Sequence, residues 1–191
     1  MNFLAHLYLA ADDDEALLGS LMGDFVKGPL RGEHAPGIER ALALHRRVDA
    51  FTDAHAVVAR SRARIPPQRR RYAGIMVDMF YDHCLARDWP RYAALPLDQF
   101  AQRVYRMLEV HDSRLPAGLQ QMAPFMRRHD WLSSYRELQY VARALERMGE
   151  RLRRGNGLLG AGEDLAAHYA GLDGDFDEFF PQLIEFVHRP T

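Results

Sequence analysis

Three stretches in the first half of the chain carry histidine and aspartate at helical spacing. They are Asp24 in GDFVKG, His45 with Asp49 and Asp53 in LHRRVDAFTD, and Asp78 with Asp82 and His83 in VDMFYDHCL. Side chains four apart share a helix face, so His45 with Asp49, and Asp78 with Asp82, each aim two metal-capable groups in one direction. Carboxylates within apolar helices are costly unless paired or metal-bound, and Asp49, Asp78 and Asp82 all lie in runs that read as core-facing. Mixed imidazole and carboxylate donors suit a divalent ion such as Mn²⁺, Fe²⁺ or Zn²⁺, with Mg²⁺ as a further alternative. Cys84 is the single cysteine, which excludes a thiolate site, and the histidines disfavour a pure Ca²⁺ cage. Such an ion polarises a phosphoryl oxygen and lowers the pKa of bound water from 15.7 towards about 7, so the expected chemistry is phosphate-ester hydrolysis. No GxSxG elbow, P-loop, dinucleotide fingerprint or HExxH motif competes. The alternative is a buried Arg/Asp network, with Arg46 and Arg47 as partners, in a helical interaction protein without enzymatic activity.

These residues need helices to hold them, and the apolar spacing is helical almost throughout, without the period-two alternation of a sheet. The reading is an all-α helical bundle forming one domain over residues 1–191. MNFLAHLYLA buries Phe3, Leu4, Leu7 and Tyr8 and so brings His6 inward, as a ligand or as a hydrogen-bonded core histidine. Asp12 to Asp14 supply N-caps for a helix through EALLGSLMGDFVKG that Gly28-Pro29 stops, with Asp24 near its end. Pro36 stands at the N1 position of the helix carrying His45 and Asp49, which bends or restarts near Asp53. After the Ile65-Pro66-Pro67 break, residues 68–89 read as one long central helix ended by Pro90. Further helices are expected from Pro96-Leu97 to Val110, from Pro116 to Arg128 and over 131–154. A glycine-rich connection at Gly155, Gly157 and Gly160 precedes a last helix or pair containing His168 and Tyr169.

At 191 residues with 48% hydrophobic side chains, the chain builds a core without disulfides. The lone cysteine and the N-terminus, which lacks a basic region and breaks at Asp12, fit a cytoplasmic protein with neither signal peptide nor membrane span. A net charge of −1 argues against nucleic acid as partner. Against that balance, Arg60 to Arg71 holds six arginines. That run is a solvated face or a dock for an acidic partner or phosphate group beside the motif helices. A second basic run, Arg147 to Arg154, ends a helix and complements its dipole. His34, His55, His111, His129 and His188 read as surface residues.

MNFLAHLYLA, GDFVKG, LHRRVDAFTD and VDMFYDHCL, with AAHYAGL near Tyr169, resemble the bacterial acyl carrier protein phosphodiesterase family, strongly over residues 1 to about 90 and intermittently beyond. The resemblance implies hydrolysis of the phosphodiester joining 4′-phosphopantetheine to a serine of holo-acyl carrier protein. It further implies a helical fold related to HD phosphohydrolases and a preference for Mn²⁺. Carried over, Asp24, His45, Asp49, Asp78 and Asp82 become the metal set, His83 or His6 the general acid and Arg46 the phosphate-binding residue, with His168 also matching. HD proteins use an adjacent His-Asp pair, whereas here the pair is reversed as Asp82-His83. Acyl carrier proteins are small and acidic, so the resemblance assigns Arg62, Arg64, Arg69, Arg70 and Arg71 to docking. A nucleotide or other small phosphate ester is the rival substrate.

Overall fold

A computed structural model describes residues 1–10, 13–150 and 157–189. Among them there are eleven α-helices and no strand. The order is α1 Phe3–Leu9, α2 Asp14–Met22, α3 Pro36–Ala54, α4 Ala56–Arg64, α5 Ala73–Arg87, α6 Leu97–Val110, α7 Ala117–Arg128, α8 Trp131–Ser134, α9 Leu138–Glu150, α10 Ala161–Ala167 and α11 Tyr169–His188. None of these helices is long and apolar enough to cross a membrane.

The apolar run around Asp78 to Leu85 makes α5 the central element. Met76, Val77, Phe80, Tyr81, Cys84 and Leu85 are wholly buried, each apolar side chain contributing about 1.5–3 kcal/mol relative to exposure. Helices α1, α4, α9, α10 and α11 pack around it. The two helices that present His45 and its support, α2 and α3, pack extensively against each other. Gly19 permits this approach, because a Cβ there would stand 2.6 Å from the Ala41 Cβ and 2.7 Å from the Ile38 carbonyl oxygen.

Pro36 opens α3 at its first turn and α6 begins at Leu97, both as the proline pattern predicts. The restart expected near Asp53 occurs at His55, whose ring accepts from the Val57 amide and caps α4. Asp13 caps α2 through the Ala16 amide, whereas Asp12 lies outside the described residues. Three boundaries differ from the sequence reading. Helix α2 stops at Met22, whose carbonyl takes the Phe25 and Val26 amides in a tight turn, so Asp24 stands beyond the helix. The stretch expected to open the central helix, Pro67–Tyr72, is a 3₁₀ segment. The long helix expected over 131–154 breaks at Tyr135, whose carbonyl accepts from the His83 ring at 2.9 Å. Gly155 and the basic run beyond Glu150 lie outside the described residues.

Candidate metal centre

Helices α1 and α3 bring together two imidazoles 39 positions apart. The rings of His6 and His45 stack with centroids 3.7 Å apart and planes 11° from parallel. Both present Nε2 to one carboxylate: His6 lies 3.1 Å from Asp49 Oδ1, and His45 lies 3.2 Å from Asp49 Oδ2. One donor atom from each of the three residues falls within 4.8 Å of the other two, a trio able to hold a metal ion.

The His45 ring is oriented from behind. Its Nδ1–H donates to the Ser20 carbonyl at 2.9 Å, which in the neutral form leaves the Nε2 lone pair facing Asp49. Gly23 leaves room for the ring, since a Cβ at that position would meet three ring atoms at 2.3–2.5 Å. Asp24, brought round by the early end of α2, stands 3.7 Å from His45 Nε2 and is half exposed. Burial lowers the His6 pKa to about 4, so this imidazole is neutral at physiological pH. Burial also opposes charge on His45, but Asp24 and Asp49 outweigh it and raise this pKa to about 9. Burial pushes Asp49 upward, yet its hydrogen bonds to His45 and His6 hold it well below the usual carboxylate range.

Asp78 approaches from α5, where burial raises its pKa against the pull of the Met1 ammonium and Arg62. Its Oδ1 is buried and accepts no hydrogen bond, although the Met1 ammonium lies 3.6 Å away. The same ammonium is 3.4 Å from Asp49 Oδ1. A positive group therefore already stands among these acids, and the N, N, O donor set with an under-satisfied neighbouring carboxylate fits a divalent cation.

Asp82 is drawn into different work. It is wholly buried, and its two oxygens accept from the Leu4 amide at 2.8 Å and the Ala5 amide at 3.0 Å. Asn2 leaves the first turn of α1 without a side-chain cap, so Asp82 satisfies two of its orphan N–H groups from another helix and seats the helix that carries His6. Burial pushes the Asp82 pKa up to about 7 despite these bonds. His83, one residue on, faces away from Asp82. Its Nδ1–H donates to the Tyr135 carbonyl, and its Nε2 accepts from the Tyr169 hydroxyl at 2.9 Å. Arg87 also donates to that hydroxyl, and Arg87 is held by Asp173 at 2.7 Å. Both His83 nitrogens are thus engaged in a cluster apart from the trio. His168 is half-buried just before α11, where its carbonyl accepts from the Leu172 amide at 3.0 Å.

Arg46 sends a guanidinium N–H to the Val26 carbonyl at 3.1 Å and so braces the loop that carries Asp24, rather than reaching Asp49. In the basic run, Arg62 pairs with Asp53 at 2.6 Å, Arg64 with Asp175 at 2.7 Å, and Arg69 with Asp164. Arg70 and Arg71 are exposed. Sequence reasoning missed Ser20, Gly23 and Tyr135. Only Gly23 left a trace, as a small residue directly before a motif aspartate; the other two act through carbonyls or distant partners.

A family model described as acyl carrier protein phosphodiesterase matches residues 1–183. Curated relatives with that name include one from Photorhabdus laumondii, 36% identical over 97% of this chain and 94% of its own length. One from Klebsiella pneumoniae is 36% identical over 99% and 98%, and one from Yersinia enterocolitica 35% identical over 96% of each chain. No solved structure matches. With a His/Asp trio built from the very segments that carry the likeness, and relatives aligned over nearly their full length, the chain belongs to the acyl carrier protein phosphodiesterase family.

Proposed function

We propose that the protein is a cytoplasmic hydrolase of one domain, residues 1–191, that cleaves the 4′-phosphopantetheine phosphodiester of holo-acyl carrier protein. The products are apo-acyl carrier protein and free 4′-phosphopantetheine. The observation that carries this reading is the convergence of His6, His45 and Asp49 on one point in a chain of this family. These three residues would hold the ion, for which Mn²⁺ is the assignment, with Asp24 beside them at 3.7 Å from His45 Nε2. When bound, a divalent ion supplies charge for a phosphoryl oxygen and acidifies water.

The chain's own groups do the rest. His6 is neutral because it is buried, so it becomes a ligand by shifting the Nε2 proton it donates to Asp49 on to Nδ1, with no loss of a net charge. Ser20 fixes the His45 tautomer, and Arg46 braces the loop of Asp24. Asp24 is half exposed beside the trio and takes the proton of the attacking water as general base. The water oxygen bonds to phosphorus as the bond to serine Oγ breaks, and the departing Oγ takes a proton from solvent. Asp82 acts through α1, holding His6 in register with Asp49 rather than serving as a ligand. His83 supports the Tyr135 and Tyr169 side of α5 and is not assigned as the acid.

The test is incubation of holo-acyl carrier protein with the protein and Mn²⁺, followed by mass spectrometry. Loss of the phosphopantetheine arm is expected, and its persistence under every divalent metal tried would refute the reading.

A further inference from the structure

The arginines of α4 and the 3₁₀ segment after it look like the natural dock for an acidic substrate, yet Arg60, Arg62, Arg64 and Arg69 are all held by the protein's own acids. A partner using them must first compete with Asp53, Asp164 and Asp175. Another basic face carries no such ties. Between the end of α7 and α9 runs a groove of about 330 Å³ lined by His129, Ser134, Tyr140, Arg143, Ala144 and Arg147. Arg143 and Arg147 are both exposed, one turn apart on α9, and neither forms an ion pair among the described residues. Among the described residues no carboxylate lines the groove, and Asp130, the acid adjoining His129, accepts from the Tyr105 hydroxyl at 3.0 Å.

Like charges at i and i+4 repel, so two uncompensated guanidiniums here are a small cost to the isolated fold that an anionic partner relieves. The groove is connected to the helix that bears His6. Tyr140 in its wall meets Tyr135 edge-on at 6.1 Å, and the Tyr135 hydroxyl accepts from Asn2 at 2.9 Å, at the start of the helix bearing His6. We infer that this groove, through Arg143 and Arg147, receives the acidic face of the carrier protein whose phosphodiester is cut at the His6–His45–Asp49 centre; this rests on the function proposed above. A cavity of this size seats acidic side chains rather than a whole element of the partner, so the carrier lies across it.

The test compares the double charge reversal Arg143→Glu/Arg147→Glu with Arg70→Glu/Arg71→Glu, at low and high ionic strength, on holo-carrier protein. The α9 variant is expected to raise KM about tenfold or more at low salt, with most of the loss in KM rather than kcat. The gap narrows at high salt, because exposed charges act through screened steering. Its melting profile and Mn²⁺ affinity match those of the parent. A KM within twofold of the parent, or a larger loss from the Arg70/Arg71 pair, overturns the inference. So does competition by inorganic phosphate alone at the same arginines, which marks a small-anion site. If the parent releases no phosphopantetheine, the function reading has failed. Calorimetric titration with apo-carrier protein then decides the dock: binding lost in the α9 variant supports it, and no binding by the parent removes it.

Discussion

Two acidic centres, one at Asp49 of α3 and one at Asp175 between α11 and α4, are built on opposite principles. Around Asp175 every charge is answered: Arg60 and Arg64 each pair with it at 2.8 and 2.7 Å, and the Ser61 hydroxyl donates at 2.8 Å. That carboxylate ties α11 to α4 and leaves no room for a ligand. Around Asp49 the balance is reversed, because Asp24, Asp49 and Asp78 face two imidazoles and one ammonium, and a buried Asp78 oxygen has no hydrogen bond. A protein that saturates one buried acid and leaves another group short of positive charge separates a staple from a site.

The largest effect should come from exchanging the fates of these two centres. Asp49→Ala is expected to lower hydrolysis and metal affinity by more than about a hundredfold, beyond the 10–100-fold typical of outer partners. The metal-free melting temperature should fall only modestly, because Asp49 is partly exposed and Asp24 still faces His45 once it is gone. Asp175→Ala should do the reverse. Stability is expected to fall by about 1–2 kcal/mol, limited by the partial exposure of both arginines, while Mn²⁺ affinity is kept. Calorimetric melts and Mn²⁺ titration of both variants check the pair; equal losses of stability would break the contrast.

Gly23→Ala probes the support of the trio alone. The added methyl would stand 2.3–2.5 Å from the His45 ring and must tilt it. Metal affinity should fall about 10–100-fold, the range for a disturbed ligand orientation, with folding cooperativity retained.

The effects of pH on stability have opposite signs at the two centres. The His45 pKa is raised to about 9, so a proton must leave before Nε2 binds metal; Mn²⁺ affinity should rise about tenfold per pH unit and level off near pH 9. In the metal-free protein the same shift contributes stability that is fully present below the unfolded value of about 6.5 and is lost as pH rises through about 9. Although burial pushes Asp175 up, Arg64, Ser61 and Arg60 hold it below the ordinary carboxylate value. Its stability is present above about pH 4 and is lost as pH falls through the folded value. Unfolding curves across pH, with Asp175→Asn as control, should lose the acid shoulder and keep the alkaline one.

Much of this was legible in local sequence. The 3.6-residue period marked the helices, Pro36 and Pro66-Pro67 marked their limits, and the His45–Asp49 spacing predicted a shared face that the structure shows at 3.2 Å. Adjacent residues were harder. Asp82 and His83 looked like one motif, but successive side chains on a helix diverge by about 100°, and α5 is buried on several sides. One therefore caps α1 and the other meets Tyr135 and Tyr169. The basic run misled for a related reason: its density was visible, but its partners Asp164 and Asp175 lie about a hundred residues away.

By itself the sequence determined that the protein is helical, that it carries a surplus of acids and imidazoles at one-turn spacing, and which family its segments resemble. Those properties follow from local periodicity and residue chemistry. Tertiary packing settled which imidazoles meet, which aspartate became a cap and which arginines stayed unpaired. Each of those outcomes depends on where distant helices cross, and burial makes the energy of a charge depend on the neighbours it finds there.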